Sequence, residues 1–382
     1  MNDQNVLEEL DQILAKSARF REGRVLGSMC SEPDPIVLEV FRRSYDLNAG
    51  DPGLSQGLVE LENDAIRMMG EFWRWPQASG KIVSGGTEAN ILALWSFREG
   101  RRSPQQTQVL VSKSRHFSID KAAKLLGLDL VLIDCNENGQ VDLDQLQNSI
   151  SKRTLAVVAV AGSTSLGLVD ELRALGRIAF EHGLFCHVDA SFGGFVIPFL
   201  EEAGFAAVDF GLDLEGISSV CLDPHKLGRA PIPAGCLLWK DAQDLERLEF
   251  SVPYLSGGQT RLSTLLGTRP GFTVAAVWAV LKKLGKSGYV ELVRRSLSLT
   301  HWFSEQVSKR RHLRLVRQPV LNVVGLAHRK LTPQELAYFL RREGGWALSV
   351  WPEFLRVVLM PHVDRTHLED FLAFVERHLE KE

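Results

Sequence analysis

The sequence lacks three features that would place it in common classes of protein. Its five cysteines, among 382 residues, are never spaced as CxxC, so neither a disulfide framework nor a zinc ribbon is indicated and a reducing cytoplasm is expected. It has no basic excess, since 44 Lys and Arg stand against 47 Asp and Glu, which argues against a nucleic-acid partner. Its longest apolar runs, such as 155–161 and 274–281, fall far short of the roughly 20 residues that span a bilayer. We therefore expect a soluble protein without nucleic-acid or membrane partners.

The composition is that of an ordinary globular protein. Hydrophobic residues make up 45% of the chain and charged residues 24%, and the length allows two or three domains. The amino terminus, MNDQNVLEELDQILAK, is acidic and helix-like and has neither the basic nor the apolar region of a signal peptide, so we expect no export by that route.

Between about Gln56 and Lys240, helical patterns alternate with short runs rich in β-branched residues. Most of these runs are apolar throughout, as is typical of strands covered on both faces by helices. The pattern predicts an α/β domain with a mostly parallel, seven-stranded sheet. The predicted strands are KIVS (81–84), VLVS (109–112), LVLID (130–134), LAVVAV (155–160), LFCHVDA (184–190), ISSVCLD (217–223) and GCLLW (235–239). Asp142 and Asp170 are predicted to begin two of the intervening helices.

The pattern changes after about Ser251. A glycine-rich stretch (256–271) leads into a long helical segment, 273–311, with an expected interruption near Gly285 to Gly288. Strand-like runs then alternate with helices that begin at Thr332 and Asp364, which predicts a smaller α+β domain. The expected division is an N-terminal helical segment at 1–50, a large domain at 51–255, and the long helix with a small C-terminal domain at 256–382.

SGGTEAN (84–90) is the first of four motifs that carry chemistry. Gly85, Gly86 and Thr87 follow a predicted strand and open a helix, where glycine lets the backbone approach an anion and the helix N-terminus stabilises its charge. A phosphate could bind there, although an isolated GGT is more often a plain turn. The motif is neither a Walker loop nor a GxGxxG dinucleotide site.

The other three motifs are SRHFSIDKAA (114–123), HVDASFGG (187–194) and DPHK (223–226). Asp189 and Lys226 both follow apolar strands, at the edge where open α/β sheets place ligands. Taken alone, Asp189 would be interpreted as a helix cap or an ion-pair partner, and Lys226 as a solvated lysine. His116 would be interpreted as a cap, a core residue or an aromatic platform. Together, a phosphate cradle, a carboxylate and an imine-forming amine are what pyridoxal 5'-phosphate requires.

The order of these motifs resembles the group II pyridoxal-phosphate-dependent decarboxylases, and most closely the archaeal L-tyrosine/L-aspartate decarboxylase family. The resemblance runs from about Gly27 to the C-terminus. It implies the fold type I, PLP-dependent transferase-like architecture, an amino-acid decarboxylase activity and pyridoxal 5'-phosphate as cofactor, with no metal. Further segments that carry it are GSMCSEPDP (27–35), LNAGDPGLSQG (47–57), VIPFL (196–200), PIPAG (231–235), LGTRPG (266–271) and LRVVLMPH (355–362).

The resemblance also implies roles for individual residues. Lys226 matches the lysine that holds the cofactor as an internal aldimine, and Asp189 the aspartate that faces the pyridine nitrogen. His116 matches the histidine stacked on the cofactor ring, and His225 is expected to add a contact beside the lysine. The phosphate cradle corresponds to Gly85, Gly86 and Thr87.

Other positions follow from the same comparison. Thr164 resembles a residue near the cofactor's oxygen substituent, and Thr268, followed by Arg269, a segment that reaches the phosphate of a partner subunit. Arg356 is the candidate for the substrate α-carboxylate, because a guanidinium matches a carboxylate bidentately, with a structural arginine as the alternative. Tyr254 and a residue on a mobile loop are candidates for the proton donor to Cα, and Lys226 itself is a candidate for the release step. The segment 28–30 resembles one that closes the substrate pocket.

The implied reaction is decarboxylation of L-tyrosine to tyramine (methanofuran biosynthesis), of L-aspartate to β-alanine (coenzyme A biosynthesis), or of both, through an external aldimine and a quinonoid. The alternatives are an L-glutamate decarboxylase, an aminotransferase, a carbon–carbon lyase, or a non-catalytic phosphate-ligand binding protein. A homodimer is implied, with the arm at 6–18 packed across the interface or solvated. Ser191 departs from the family's usual alanine, and Gly228-Arg229-Ala230 from its usual sequence after the lysine.

Overall fold

The computed structural model describes residues 2–256 and 258–379. The described residues divide into two compact units, which we call the sheet unit (33–256 and 258–295) and the terminal unit (2–32 and 296–379). The three-part division at 1–50, 51–255 and 256–382 stays a prediction. Within the described ranges, no helix combines the length and apolar character that a membrane crossing requires.

The sheet unit is built on one large sheet whose seven strands, among the described residues, have the order β1-β7-β6-β5-β4-β2-β3. The strands are β1 (Ser79–Val83), β2 (Gln108–Ser112), β3 (Asp129–Ile133), β4 (Thr154–Val160), β5 (Phe185–Ala190), β6 (Ser219–Leu222) and β7 (Gly235–Trp239). Strands β2 to β6 pair in parallel, and β7 runs antiparallel to both of its neighbours, β1 and β6. The sequence prediction of a mostly parallel, seven-stranded sheet is confirmed.

Helices cover the sheet, and this explains why its strands are apolar throughout. Every residue of β4 is buried, and Phe97 of a covering helix stacks on Phe185 of β5 with ring centroids 4.5 Å apart. The helices of this unit are α2 (Ile36–Ser44), α3 (Gln56–Phe72), α4 (Gly86–Glu99), α5 (Phe117–Leu126), α6 (Leu143–Asn148), α7 (Leu172–Glu181) and α8 (Ala242–Glu246). A small hairpin pairs β8 (Phe250–Val252) with β9 (Thr260–Leu262).

One predicted helix start is confirmed and the other is corrected. Asp142 caps α6, where its side chain accepts a hydrogen bond from Gln145 N. Asp170 does not cap α7, which begins after Glu171. Its buried carboxylate instead accepts from Val141 N and Val160 N, each at 2.8 Å, and burial raises its pKa to about 6.

The long helix α9 (Gly271–Ser308) extends beyond residue 295. It contains one non-helical residue, Gly285, at φ 55°. The interruption predicted near Gly285 is therefore present.

The terminal unit has a four-stranded antiparallel sheet in the order β10-β11-β13-β12 among the described residues. Thr332 begins α10 with a capping box, in which Thr332 and Glu335 exchange side-chain-to-backbone hydrogen bonds. The elements are α1 (Asp3–Leu14), β10 (Leu313–Leu315), β11 (Val323–His328), α10 (Pro333–Gly344), β12 (Ser349–Val350), β13 (Leu355–Val358) and α11 (Arg365–Leu379). The α+β architecture agrees with the sequence pattern.

Candidate active site

A cavity of about 310 Å³ lies at the carboxyl edge of the large sheet. Strands β1, β4, β5 and β6 point the same way, so the segments that follow them converge at one edge, where open α/β sheets bind ligands. The lining residues are Ser84, Gly85, Gly86, Thr87, His116, Val160, Gly162, Thr164, Asp189, Ser191, Phe192, Asp223, His225 and Lys226. The volume lies at the lower end of the range of about 300–1,000 Å³ typical of small-molecule sites.

The N-terminus of α4 forms one wall of the cavity. Gly85 has φ 155°, a conformation that L side chains rarely adopt, and a Cβ on Gly235 of β7 would lie 2.4 Å from its Cα. A Cβ on Gly86 would lie 2.2 Å from Ser191 Oγ. Within the described part of the chain, the N–H groups of Gly86 and Thr87 have no hydrogen-bond acceptor. This backbone can therefore approach and bind an anion.

Asp189, at the end of β5, is held in one orientation. Its Oδ1 accepts from Ser191 Oγ at 2.7 Å and from Ser191 N at 3.1 Å, and its Oδ2 accepts from Asn90 Nδ2 at 3.0 Å. Burial opposes its ionisation, but the Ser191 hydrogen bond and the charge of Lys226 outweigh burial and hold the pKa of this carboxyl below its ordinary value. Asp189 is therefore ionised at neutral pH, in a buried position.

Lys226 lies in the turn after β6. Its Nζ is 2.9 Å from Asp223 Oδ2, and Asp223 Oδ1 is buried without a hydrogen-bond partner in the described residues. His225 Nδ1 accepts from Ala234 N at 3.2 Å, and burial lowers the pKa of this imidazole. The turn therefore supplies the cavity with an amine beside a carboxylate and with a neutral imidazole.

His116 is the N-cap of α5. Its Nδ1 lies 2.9 Å from Ser118 Oγ and accepts from Ser118 N at 3.3 Å. Burial lowers its pKa, and the charges of Asp189 and Lys226 act on it in opposite directions. The ring is therefore neutral at pH 7 and is available as an aromatic platform. Two of the roles that the sequence allowed for His116, helix cap and aromatic platform, are therefore compatible with each other.

The structure brings most of the predicted site residues of the sheet unit together. The cavity-lining residues among them are Gly85, Gly86, Thr87, His116, Thr164, Asp189, His225 and Lys226. Thr268 and Tyr254 are not among the lining residues in the described part of this chain, and Tyr254 is 84% exposed. Arg269, beside Thr268, binds Glu62 of its own chain, with Nη1 2.7 Å from Oε1.

Arg356 lies in the terminal unit, on β13. It is buried, and its Nη2 donates to Gly27 O at 2.7 Å and to Ser349 Oγ at 2.9 Å. Burial lowers its pKa to about 10. In the same unit, Ser28 Oγ accepts from Cys30 N at 3.0 Å, which stabilises the turn at 28–30.

The chain is similar to known proteins over most of its length. Residues 54–328 match the family model described as the pyridoxal-dependent decarboxylase conserved domain. The chain belongs to the pyridoxal-dependent decarboxylase family. It is 41% identical to an L-aspartate/L-glutamate decarboxylase of Pyrococcus horikoshii, over 97% of this chain and 95% of that protein. It is 42% identical to a probable L-tyrosine/L-aspartate decarboxylase of Methanothermobacter thermautotrophicus, over 94% of this chain and 98% of that protein.

Solved structures show the same fold for this decarboxylase. The sphingosine-1-phosphate lyase of Burkholderia pseudomallei superposes with a TM-score of 0.89 at 25% identity, covering 100% of this chain and 91% of its own. The glutamate decarboxylase of Lactobacillus brevis superposes with a TM-score of 0.90 at 18% identity, covering 100% of this chain and 94% of its own. The expected fold type I architecture is confirmed.

The cofactor of this decarboxylase family, pyridoxal 5'-phosphate, fits the residues present. The cavity offers anion-binding backbone at Gly86 and Thr87, an ionised carboxylate at Asp189 and a primary amine at Lys226. A side chain at position 86 would collide with Ser191, so the glycine keeps the cradle open.

Sequence reasoning missed the polar residues behind the cavity. Asn90, Ser118 and His187 are all fully buried and hydrogen-bonded to one another or to Asp189. Two signals could have found them. Asn90 is four residues after Gly86 and so shares its helix face, and His187 is two residues before Asp189 and so shares its strand face.

Proposed function

We propose that this decarboxylase removes the α-carboxyl group of L-aspartate, giving β-alanine and carbon dioxide. The observation that carries the proposal is the shared cavity of Lys226, Asp189 and the α4 N-terminus. L-aspartate is the substrate because the names of both relatives include it. L-tyrosine is the second candidate, favoured by the 42% identical relative, with tyramine as the product. L-glutamate, in the name of the other relative, is an alternative.

The cofactor, when bound, supplies an electron sink that accepts the electron pair left behind by carbon dioxide. The residues of this chain would hold it at three points. Lys226 Nζ would take the cofactor aldehyde, and the N–H groups of Gly86 and Thr87 would bind the phosphate. Asp189 would hold a proton on the ring nitrogen, because its buried, ionised carboxylate favours a cation beside it.

Other residues that line the cavity would help to position the cofactor. The neutral ring of His116 would pack against the cofactor ring, and Thr164 and His225 would border its substituents. Arg356 is proposed to bind the substrate α-carboxylate, since a guanidinium presents two parallel donors to it. The proton returned to Cα is proposed to come from Tyr254, and Lys226 is proposed to act in the release step.

The test is to incubate the purified, cofactor-loaded protein with L-aspartate, L-tyrosine and L-glutamate and to measure carbon dioxide, amine and keto acid. We expect carbon dioxide and β-alanine in equal amounts from L-aspartate. Borohydride reduction followed by peptide mass spectrometry should place the fixed cofactor on Lys226. Keto acid without carbon dioxide, or an adduct absent from Lys226, would reject the proposal.

Lys113 offers a matched control for Lys226. It follows β2 at the same edge of the sheet, but its ammonium pairs with Asp134 and does not line the cavity. Lys226→Ala should abolish both the adduct and carbon dioxide release, whereas Lys113→Ala should retain both. Equal loss in the two variants would mean that the effect does not come from the site.

We also propose a cytoplasmic homodimer in which Thr268 reaches the phosphate site of the partner. The proposal is supported by α1, which has no buried residue and exposes Leu7 and Ile13, each 55% exposed. Sedimentation should give twice the monomer mass, and a monomeric active enzyme would contradict it. The cellular roles proposed for the products are coenzyme A biosynthesis for β-alanine and methanofuran biosynthesis for tyramine.

A further inference from the structure

Asn90 lies at the centre of a buried hydrogen-bond network behind the cavity. It is fully buried in α4, one helical turn after Gly86. Its amide nitrogen is 3.0 Å from Asp189 Oδ2 and 2.8 Å from Ser118 Oγ, and its amide oxygen is 2.8 Å from His187 Nε2. One side chain therefore connects the helix of the phosphate cradle with the carboxylate of the site.

The carboxylate of Asp189 fixes the orientation of this amide. An ionised carboxylate only accepts hydrogen bonds, so Asn90 Nδ2 must face it. The amide oxygen then faces His187 Nε2, which must carry a proton. His187 Nδ1 is left to accept from Ser219 Oγ, 2.8 Å away. Burial lowers the pKa of His187 to about 4, so the ring is neutral and carries this single proton.

The same amide reaches His116 through Ser118. Asn90 Nδ2 donates to Ser118 Oγ, so the hydroxyl hydrogen is free to point at His116 Nδ1, 2.9 Å away. The Ser118 N–H also donates to this nitrogen, at 3.3 Å. A ring nitrogen that receives two donors is unprotonated, so the neutral His116 ring carries its proton on Nε2.

We propose that Asn90 is a positioning residue that sets the proton arrangement of the site: it locks the Asp189 carboxylate from Oδ2 and, through Ser118, keeps the His116 proton on Nε2. The inference rests on the proposed roles of Asp189 and His116. Because Ser191 holds Oδ1 and Asn90 holds Oδ2, the plane of the carboxylate is fixed before the cofactor ring meets it. Preorganised acceptors of this kind lose little free energy to reorientation on binding.

The test compares Asn90→Asp and Ser118→Ala with the wild type. The control is Ser96→Ala, since Ser96 is fully buried on the same helix and hydrogen-bonds to Ala93 O and Trp239 Nε1, away from the cavity. The readouts are the ¹⁵N NMR signals of the histidine ring nitrogens in the cofactor-loaded protein and the dissociation constant of pyridoxal 5'-phosphate from a fluorescence titration.

We expect wild-type His116 and His187 to show an unprotonated Nδ1 and a protonated Nε2. Asn90→Asp places a second carboxylate beside Asp189, so cofactor affinity should fall about 10-fold or more and both histidine signals should change. Ser118→Ala should shift the Nδ1 signal of His116 and leave that of His187 in place. Ser96→Ala should change none of these readouts.

Unchanged affinity and unchanged histidine signals in Asn90→Asp would overturn the proposal. If that variant does not fold, an unchanged His116 signal in Ser118→Ala overturns it instead. Different results would reject the proposed function and the proposed role of Asn90. A wild type that forms no adduct at Lys226 rejects the proposed function, whereas the ring-nitrogen signals of the same protein without cofactor still decide whether the network holds.

Discussion

Arg269 and Glu62 form a bidentate ion pair inside the sheet unit, with Nη1 2.7 Å from Oε1 and Nη2 3.1 Å from Oε2. Arg269 also donates to Ile82 O and Ala49 O, at 2.7 and 3.0 Å. Burial opposes ionisation of Glu62, but the hydrogen bond and charge of Arg269 outweigh it and hold the pKa of this carboxyl below its ordinary value. The pair therefore ties the segment that contains Thr268 to α3 and β1.

We expect Glu62→Gln to lower the free energy of unfolding by about 3 kcal/mol, because it leaves a buried guanidinium without its counter-charge. Urea denaturation followed by circular dichroism measures this. The control is Arg173→Ala, which breaks a bidentate pair with Asp209 on the surface and should shift the urea midpoint little. Equal shifts in the two variants would contradict the expectation.

Asp189→Asn and Ser191→Ala should separate the effect of the Asp189 charge from the effect of the hydrogen bonds that hold this carboxylate. Asp189→Asn removes the charge and should lower kcat by about 100-fold or more. Ser191→Ala removes one donor to Oδ1 but leaves the Ser191 N–H and Asn90 in place, so cofactor affinity should fall by no more than about 10-fold. Steady-state kinetics and cofactor titration measure the two effects. The expectation fails if Ser191→Ala is as damaging as Asp189→Asn.

Gly86→Ala should strain the phosphate cradle. The added Cβ would lie 2.2 Å from Ser191 Oγ, and overpacking of this kind costs about 1–3 kcal/mol. The double variant Gly86→Ala/Ser191→Ala should recover part of the loss, because the nearest colliding atom is gone. A urea double-mutant cycle measures the coupling, and additive effects would refute it. Gly57→Ala, in α3 with no atom near the added methyl, should keep or increase stability.

His187 should make the protein less stable in acid. Burial lowers its folded-state pKa from 6.5 to about 4, so between these values the unfolded chain binds the proton more readily. The contribution of His187 to the free energy of unfolding is complete above pH 6.5, and it decreases by about 3 kcal/mol as the pH falls to 4. In His187→Gln, unfolding free energies measured between pH 4 and 7.5 should show a shallower decrease. An equally steep decrease in wild type and His187→Gln would contradict the expectation.

Sequence patterns predicted the architecture well because the sheet strands are apolar and short. All seven predicted strands are present, since burial on both faces leaves a signal in every residue of a strand such as β4. Residues carrying a motif, such as Lys226 and Asp189, were predicted to share one edge, and they line one cavity. The Asp170 helix cap was wrong, because an aspartate before a helix pattern looks the same whether it binds the helix or a neighbouring loop.

The hydrogen-bond network could not be predicted in the same way. Its members come from β5, β6, α4 and α5, and only the tertiary fold brings Ser118 within 2.8 Å of Asn90. The domain boundaries, the roles of the site residues and the contribution of Thr268 remain predictions. The roles depend on ligand contacts, which strand and helix patterns do not encode.

Gly85 and Gly235 are far apart in the sequence, but their backbones lie in close contact in the fold. Gly235 begins β7, the antiparallel strand, and there is no room for a methyl group between it and the turn that precedes α4. Position 235 should therefore stay glycine among natural relatives unless the backbone at Gly85 moves. A mutational library aimed at reshaping the turn that precedes α4 would have to redesign the start of β7 at the same time.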